Sequence, residues 1–135
     1  MFNDGRWNTR GRAVTYCSTV ASLPALEKRV HVGDPKLLPP QVLVTYEVPD
    51  SLTKRIIEID DLPSDWTQRQ TYTQGFGDTW LESKSQALLV VPSVIMPFAD
   101  IPDRNVLINH GVANAALIKL VSTAAFEFDP RLFAP

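Results

Sequence analysis

The sequence has few of the residues that build disulfides and metal sites: one cysteine, Cys17, and two histidines among 135 residues. A single cysteine excludes an internal disulfide and fits a reducing compartment, so we expect the protein in the cytoplasm. A structural zinc site needs four closely spaced ligands, and His31 and His110 lie far apart along the chain. We therefore expect no metal.

Long apolar runs and an excess of charge of one sign are also missing. The longest apolar runs, ALLVVP and VIMPFA, are far short of a membrane span, and the polar start MFNDGRWNTRGR lacks the apolar core of a signal peptide. The 13 basic and 15 acidic residues are scattered and give a formal net charge of -2. We expect a protein that is neither embedded in a membrane, nor exported by a signal peptide, nor in direct contact with nucleic acid.

Common nucleotide and hydrolase motifs are absent as well. The chain has no GxGxxG or P-loop pattern, so any nucleotide site must be built in another way. Ser93 follows Pro92 at the end of an apolar run without a GxSxG elbow, which is typical of a turn serine and not of a hydrolase nucleophile.

What is present predicts an α+β fold. With 44% hydrophobic and 21% charged residues, the composition is that of a globular protein, and a chain of this length buries about two-thirds of its unfolded surface in a single domain. Short strands are predicted at RAVTYC, QVLVTYEV (largely buried), RIIEI, QALLVVPS, NVLINH and the segment that begins at IKLVS. The absence of a regular alternation with long helices favours antiparallel or mixed sheets.

Two helices are predicted between these strands, and the proline-rich VIMPFADIPDR is predicted as a loop. The first helix runs from about residue 23 to residue 31, with Ser18 or Ser22 as its cap and an apolar face, Leu26 and Val30, packed on the core. The second is a short helix over DTWLESK that Asp78 opens.

The first candidate site residues are Arg6, Trp7 and Asn8, which lie between Gly5 and Gly11. An arginine fork binds phosphates or carboxylates, and a large ring beside it forms a wall for a planar anionic ligand. An ordinary surface arginine and a core tryptophan explain the same pattern, and the residues by themselves favour that interpretation.

Glu27 and His31 form the second candidate pair, one helical turn apart. Such a pair is often a solvated surface pair. Alternatively, the carboxylate stabilises positive charge developing on a sugar, and the histidine transfers a proton or donates a hydrogen bond.

Further candidates lie in the strands. Tyr16 is either a core tyrosine or a residue that stacks on a base or holds a ribose hydroxyl. Asn105, Asn109 and His110 cluster about the NVLINH strand, where caps and turn formers are the simpler interpretation.

Taken together, the blocks GRWNTRGRAVTYCS, ALEKRVH, VPDSL, GDTWL, VVPSVI, NVLINH and FDPRL resemble, in this order, the RES domain. RES domains are the toxin half of bacterial Xre/RES toxin–antitoxin pairs. The resemblance implies a fold similar to ADP-ribosyltransferase toxins and cleavage of NAD between nicotinamide and ribose.

By this resemblance the catalytic residues are Arg6, Tyr16, Glu27 and Ser93. Residues expected to bind NAD are Arg6, Trp7, Tyr16, His31 and Asn105. Glu27 would lie near the ribose and Arg6 near the pyrophosphate.

The resemblance also sets expectations about the domain and its partners. Residues 1–135 are expected to form a single RES domain that is shortened at its N-terminus relative to the family, and the proline of the family's NP-H segment is missing before His110. The expected function is an NAD-degrading toxin, with water or phosphate as acceptor, in a hetero-oligomer with a cognate Xre-family antitoxin. The alternatives are a mono-ADP-ribosyltransferase with a protein target, or a truncated inactive form that only binds its antitoxin.

Overall fold

The computed structural model describes residues 5–133. Within them the chain forms β1 (Val14–Ser18), α1 (Ser22–His31), β2 (Gln41–Glu47), β3 (Lys54–Ile56), α2 (Gln70–Ser83), β4 (Leu88–Val91), β5 (Asn105–Asn109) and β6 (Lys119–Phe126). Short 3₁₀ helices lie at Pro35–Leu37, Ile59–Asp61, Trp66–Gln68, Ala113–Leu117 and Pro130–Phe133. The segment from Val94 to Arg104 is irregular, as its prolines predict.

The strands form two sheets. The larger has the order β1-β5-β4-β3, with antiparallel pairs except for the parallel pair of β3 and β4. The smaller pairs β2 with β6 in antiparallel orientation. The predicted α+β class with mixed and antiparallel sheets and a few short helices is confirmed.

Each face of the larger sheet carries its own apolar cluster, because successive side chains of a strand point to opposite faces. The main cluster joins the sheet to α2 and to the segments on either side of it; its buried members are Trp7, Ile57, Leu62, Trp66, Trp80, Leu81, Leu89, Val91 and Leu107. The opposite face carries Leu52, Ala87, Leu88, Ile108 and Ala115.

Several local predictions were wrong in detail. In α1 it is Leu23 that is buried, whereas Leu26 and Val30 are exposed; the N-cap is Ala21, and no side chain, Ser18 and Ser22 included, bonds to the helix start. Pro24 is accommodated in the first turn as expected, where its missing N–H costs no hydrogen bond.

The second helix and β2 also differ from expectation. α2 begins at Gln70 and places Asp78 in its interior, so Asp78 does not open it. β2 is mostly exposed, because it pairs with β6 in a sheet of two strands instead of lying inside the larger sheet. Its alternating apolar residues therefore did not indicate burial.

Candidate active site

One edge of the larger sheet collects three chain segments that come from distant parts of the sequence. Asn105, the first residue of β5, is paired through its Cα with Ser18 of β1 on one side and with Val91 of β4 on the other. Because β1 and β4 both run antiparallel to β5, both end where β5 begins. Ser18 and the Pro92–Ser93 segment therefore meet around Asn105.

Helix α1 brings Glu27 to this edge, since it begins four residues after β1 ends. The Glu27 Oε1 atom accepts a hydrogen bond of 2.7 Å from Asn105 Nδ2 and a longer one of 3.3 Å from Ser93 Oγ. Ser93 is fully buried, and its Oγ in turn accepts the Ile95 backbone N–H. The carboxylate is thus held in one orientation by residues from two strand ends.

Arg6 enters the site on a tight turn in which the Gly5 N–H donates to the Asn8 carbonyl. Helix α2 holds the backbone of this turn: Gln74 Nε2 donates to the Gly5 carbonyl at 2.9 Å, and Thr73 Oγ1 donates to the Arg6 carbonyl at 2.6 Å. The Arg6 guanidinium donates to the Thr67 carbonyl at 3.1 Å. Arg6 is therefore fixed at both its backbone and its side chain.

The chain after this turn is tied to the same helix. The Asp78 carboxylate accepts the Thr9 N–H at 3.0 Å and the Thr9 hydroxyl at 2.7 Å, and Arg12 pairs with Glu82 at 2.7 Å. α2 is thus the support on which the segment from Gly5 to Arg12 rests.

A cleft of about 360 Å³ lies between these parts, a volume within the range of small-ligand sites. Its lining combines one guanidinium, one carboxylate and one imidazole with apolar side chains; the lining residues are Gly5, Arg6, Trp7, Glu27, Val30, His31, Gln70, Pro92, Val94, Ile95 and Asn105. The cleft therefore brings together five of the predicted residues, namely Arg6, Trp7, Glu27, His31 and Asn105.

Trp7 is a core residue that also reaches the cleft, and its contact with a ligand stays a prediction. It is 1% exposed and packs against Trp66 and Phe76, with ring centroids 6.3 Å and 6.1 Å away, so it belongs to the core. It also lines the cleft.

Tyr16 and Ser93 are not among the lining residues. The Tyr16 hydroxyl donates to Asn8 Oδ1 at 2.6 Å and accepts the Trp7 N–H at 3.0 Å, so it holds the turn that carries Arg6. The Ser93 hydroxyl donates a hydrogen bond to the Glu27 carboxylate. Their direct contact with a ligand stays a prediction.

The remaining strand candidates, Asn109 and His110, make contacts within the fold. Asn109 Nδ2 donates to the Leu81 carbonyl, and its Oδ1 accepts the Gly111 N–H, as in a turn former. His110 is exposed, and its Nε2 lies 2.6 Å from Thr15 Oγ1. Neither lines the cleft.

Sequence reasoning missed Ser18, Gln70, Thr73 and Asp78 as parts of the site. Ser18 donates to Asn105 Oδ1 at 2.9 Å, and Gln70 lines the cleft. Ser18 could have been found by pairing β1 with β5. The two strand sequences then place Ser18 and Asn105 at neighbouring strand ends.

Across residues 5–133, no group of three or more metal-ligating side chains is close enough to hold a metal ion. In the same range, no helix has the length and apolar character needed to cross a membrane.

The fold and the cleft together define a small α+β protein with a cleft of mixed charge at one edge of its sheet. Residues 2–129 match the RES domain family, and the chain belongs to that family, whose fold is related to that of ADP-ribosyltransferase toxins. The predicted family membership is confirmed.

Curated relatives agree with this assignment. "Toxin Res" of Photorhabdus laumondii is 40% identical over 131 residues, covering 95% of this chain and 81% of the relative. "Toxin Res" of Yersinia enterocolitica is 34% identical, covering 95% and 83%. The "Prs ADP-ribosylating toxin" of a Sphingobium species is 34% identical, covering 95% and 80%.

Proposed function

We propose that this protein is a RES toxin that consumes NAD by cleaving the bond between nicotinamide and ribose. The observation that carries the proposal is the Glu27 carboxylate, oriented by Asn105 and Ser93 in a cleft that also contains Arg6. The name of the Sphingobium relative supports NAD as the substrate, since ADP-ribosylation draws on NAD.

The chemistry requires an anionic group beside the ribose. As the C–N bond breaks, its electron pair goes to the ring nitrogen, neutral nicotinamide leaves, and positive charge develops on the ribose C1 and ring oxygen. Both described hydrogen bonds to Glu27 reach Oε1, which leaves Oε2 to face this charge. Glu27 thus stabilises the transition state more than the ground state.

Arg6 would bind the pyrophosphate, for which a guanidinium has the matching geometry. The cleft volume of about 360 Å³ suits the nicotinamide–ribose end of NAD more than the whole dinucleotide, so the adenosine half would lie outside it. Trp7, which is 1% exposed, would support the cleft from the core side and would not stack on the nicotinamide ring.

The acceptor is water or phosphate. Water attacking C1 forms ADP-ribose and releases a proton, for which His31 in the same cleft is the candidate base. Phosphate dianion forms the corresponding sugar phosphate and needs no base.

The test is nicotinamide release and NAD loss by the purified protein, with and without phosphate. We expect Glu27→Gln and Arg6→Ala to abolish activity and the matched controls Glu47→Gln and Arg10→Ala, both at exposed positions, to retain it. Absence of NAD loss in the folded wild-type protein would overturn the proposal and leave two alternatives, transfer to a protein target and a form that only binds its antitoxin.

Modification of a protein is the second candidate function, favoured by the name of the Sphingobium relative. Incubation with labelled NAD and cell extract distinguishes it: a labelled protein band that disappears with Glu27→Gln supports transfer to a protein, and free ADP-ribose without a band supports hydrolysis.

Neutralisation by a cognate Xre-family antitoxin in a cytoplasmic hetero-oligomer completes the proposal. The relatives' name, Toxin Res, supports such a partner. Val30 is 64% exposed at the cleft, so an antitoxin that covers the cleft would also bury this side chain. We expect Glu27→Ala to relieve growth arrest in cells that lack the antitoxin.

A further inference from the structure

The orientation of the Asn105 amide is determined by its two partners. Asn105 is 8% exposed, and its Oδ1 accepts the Ser18 hydroxyl at 2.9 Å while its Nδ2 donates to Glu27 Oε1 at 2.7 Å. Rotating the amide by half a turn would place its carbonyl oxygen against the carboxylate, where two acceptors repel. The Ser18 hydroxyl therefore supports the one orientation that binds Glu27.

These contacts form a chain of hydrogen bonds from Ser18 through Asn105 to Glu27. It joins the end of β1, the start of β5 and the middle of α1. The strand register fixes its first step, because Ser18 and Asn105 are paired Cα partners on the same face of the sheet. Its second step ends at the cleft.

We propose that Ser18, acting through Asn105, is a positioning residue for the Glu27 carboxylate, and that the main task of Asn105 is to hold Glu27 and not NAD. The catalytic part of this inference rests on the proposed function. The hydrogen-bonding part concerns the protein alone.

Loss of the Ser18 hydroxyl leaves Asn105 Oδ1 without this donor, so the amide is restrained only by its bond to Glu27 and its side chain becomes more mobile. Glu27 then loses its shorter hydrogen bond for part of the time, and its free oxygen is no longer held towards the ribose. We expect Ser18→Ala to lower kcat for NAD cleavage about five- to tenfold, the effect of one ordinary hydrogen bond, with little change in KM.

Two variants separate positioning from general damage to the fold. Ser18→Thr keeps the hydroxyl and suits a strand, so it should restore most of kcat. Thr15→Val removes a hydroxyl from the opposite face of β1, away from Asn105, and should leave kcat unchanged. Thermal unfolding of each variant confirms that it is folded.

The side-chain amide resonances of Asn105, measured by NMR without NAD, test the hydrogen bonds independently of activity. We expect both Ser18→Ala and Glu27→Gln to shift them and Thr15→Val to leave them in place.

Unchanged resonances in Ser18→Ala would overturn the inference whether or not the protein cleaves NAD. Shifted resonances together with wild-type kcat in an active protein would overturn the catalytic role of Ser18. If the resonances shift in Ser18→Ala but the folded wild-type protein does not cleave NAD, the hydrogen-bonded chain is supported and the proposed function is overturned instead.

Discussion

The backbone of Gly77 in α2 lies directly against the carbonyl group of Trp7. A β-carbon added to Gly77 would overlap the Trp7 carbonyl oxygen, so only glycine allows the helix to approach the turn that carries Arg6. This approach brings Thr73 and Gln74 within hydrogen-bonding distance of the same turn. The geometry of the cleft therefore depends on close packing of this helix against the turn.

Gly77→Ala should destabilise the protein, because the overlapping atom is backbone and cannot rotate away. We expect a loss of about 1–3 kcal/mol or more in the free energy of unfolding, measured with denaturant. Gly75→Ala in the same helix is the matched control: its added β-carbon meets no atom within 4 Å, and it should stabilise the protein by about 0.5–1 kcal/mol. Equal stability of the two variants would contradict this account of the helix contact.

Asp78→Asn should weaken the anchoring of the segment after Arg6, since the carboxylate accepts two hydrogen bonds from Thr9. If Arg6 binds the pyrophosphate equally in the ground and transition states, loosening it raises KM for NAD several-fold and changes kcat little. Glu82→Gln, which affects only the outer ion pair with Arg12, should have a smaller effect. A fall in kcat at constant KM would show that Asp78 acts on the chemical step.

The parts of the site that depend on local sequence could be predicted. Glu27 and His31 share the cleft because residues four apart lie on one helix face, whatever the rest of the chain does. Most strands were predicted for the same reason: β-branched and apolar runs with turn residues at their ends determine them locally.

The parts that depend on long-range pairing could not be predicted in this way. Ser18 looks like a helix cap from its neighbours, but its partner is Asn105, 87 residues away, and only the register of β1 on β5 brings them together. Asp78 likewise has the local pattern of a helix start, but its carboxylate accepts a hydrogen bond from the Thr9 N–H. The apolar pattern of β2 predicts a largely buried strand, but burial depends on which strand pairs with it.

Tyr16→Phe should lower stability while leaving the strand intact. Its hydroxyl donates to Asn8, which is fully buried, and accepts the Trp7 N–H, so its removal deprives both groups of a partner. We expect a loss of about 1–3 kcal/mol in the free energy of unfolding. Tyr46→Phe on β2, at the same 39% exposure, is the control and should change stability by less than about 0.5 kcal/mol. A Tyr16→Phe variant as stable as the control would mean that the hydroxyl does not hold the turn.

Burial on the larger sheet raises the pKa of the Cys17 thiol above its ordinary value. The unfolded chain loses the thiol proton near pH 8.5, whereas the folded protein keeps it to higher pH. Between these two pKa values the unfolded state binds fewer protons, so this group makes the free energy of unfolding fall as the pH rises.

Other groups titrate in the same range, and the informative quantity is therefore the difference in stability between wild type and Cys17→Ala. We expect that difference to be constant below about pH 7.5 and to move steadily against the wild type above about pH 8.5. Parallel stability curves up to pH 10 would mean that the thiol is as well solvated in the folded protein as in the unfolded chain.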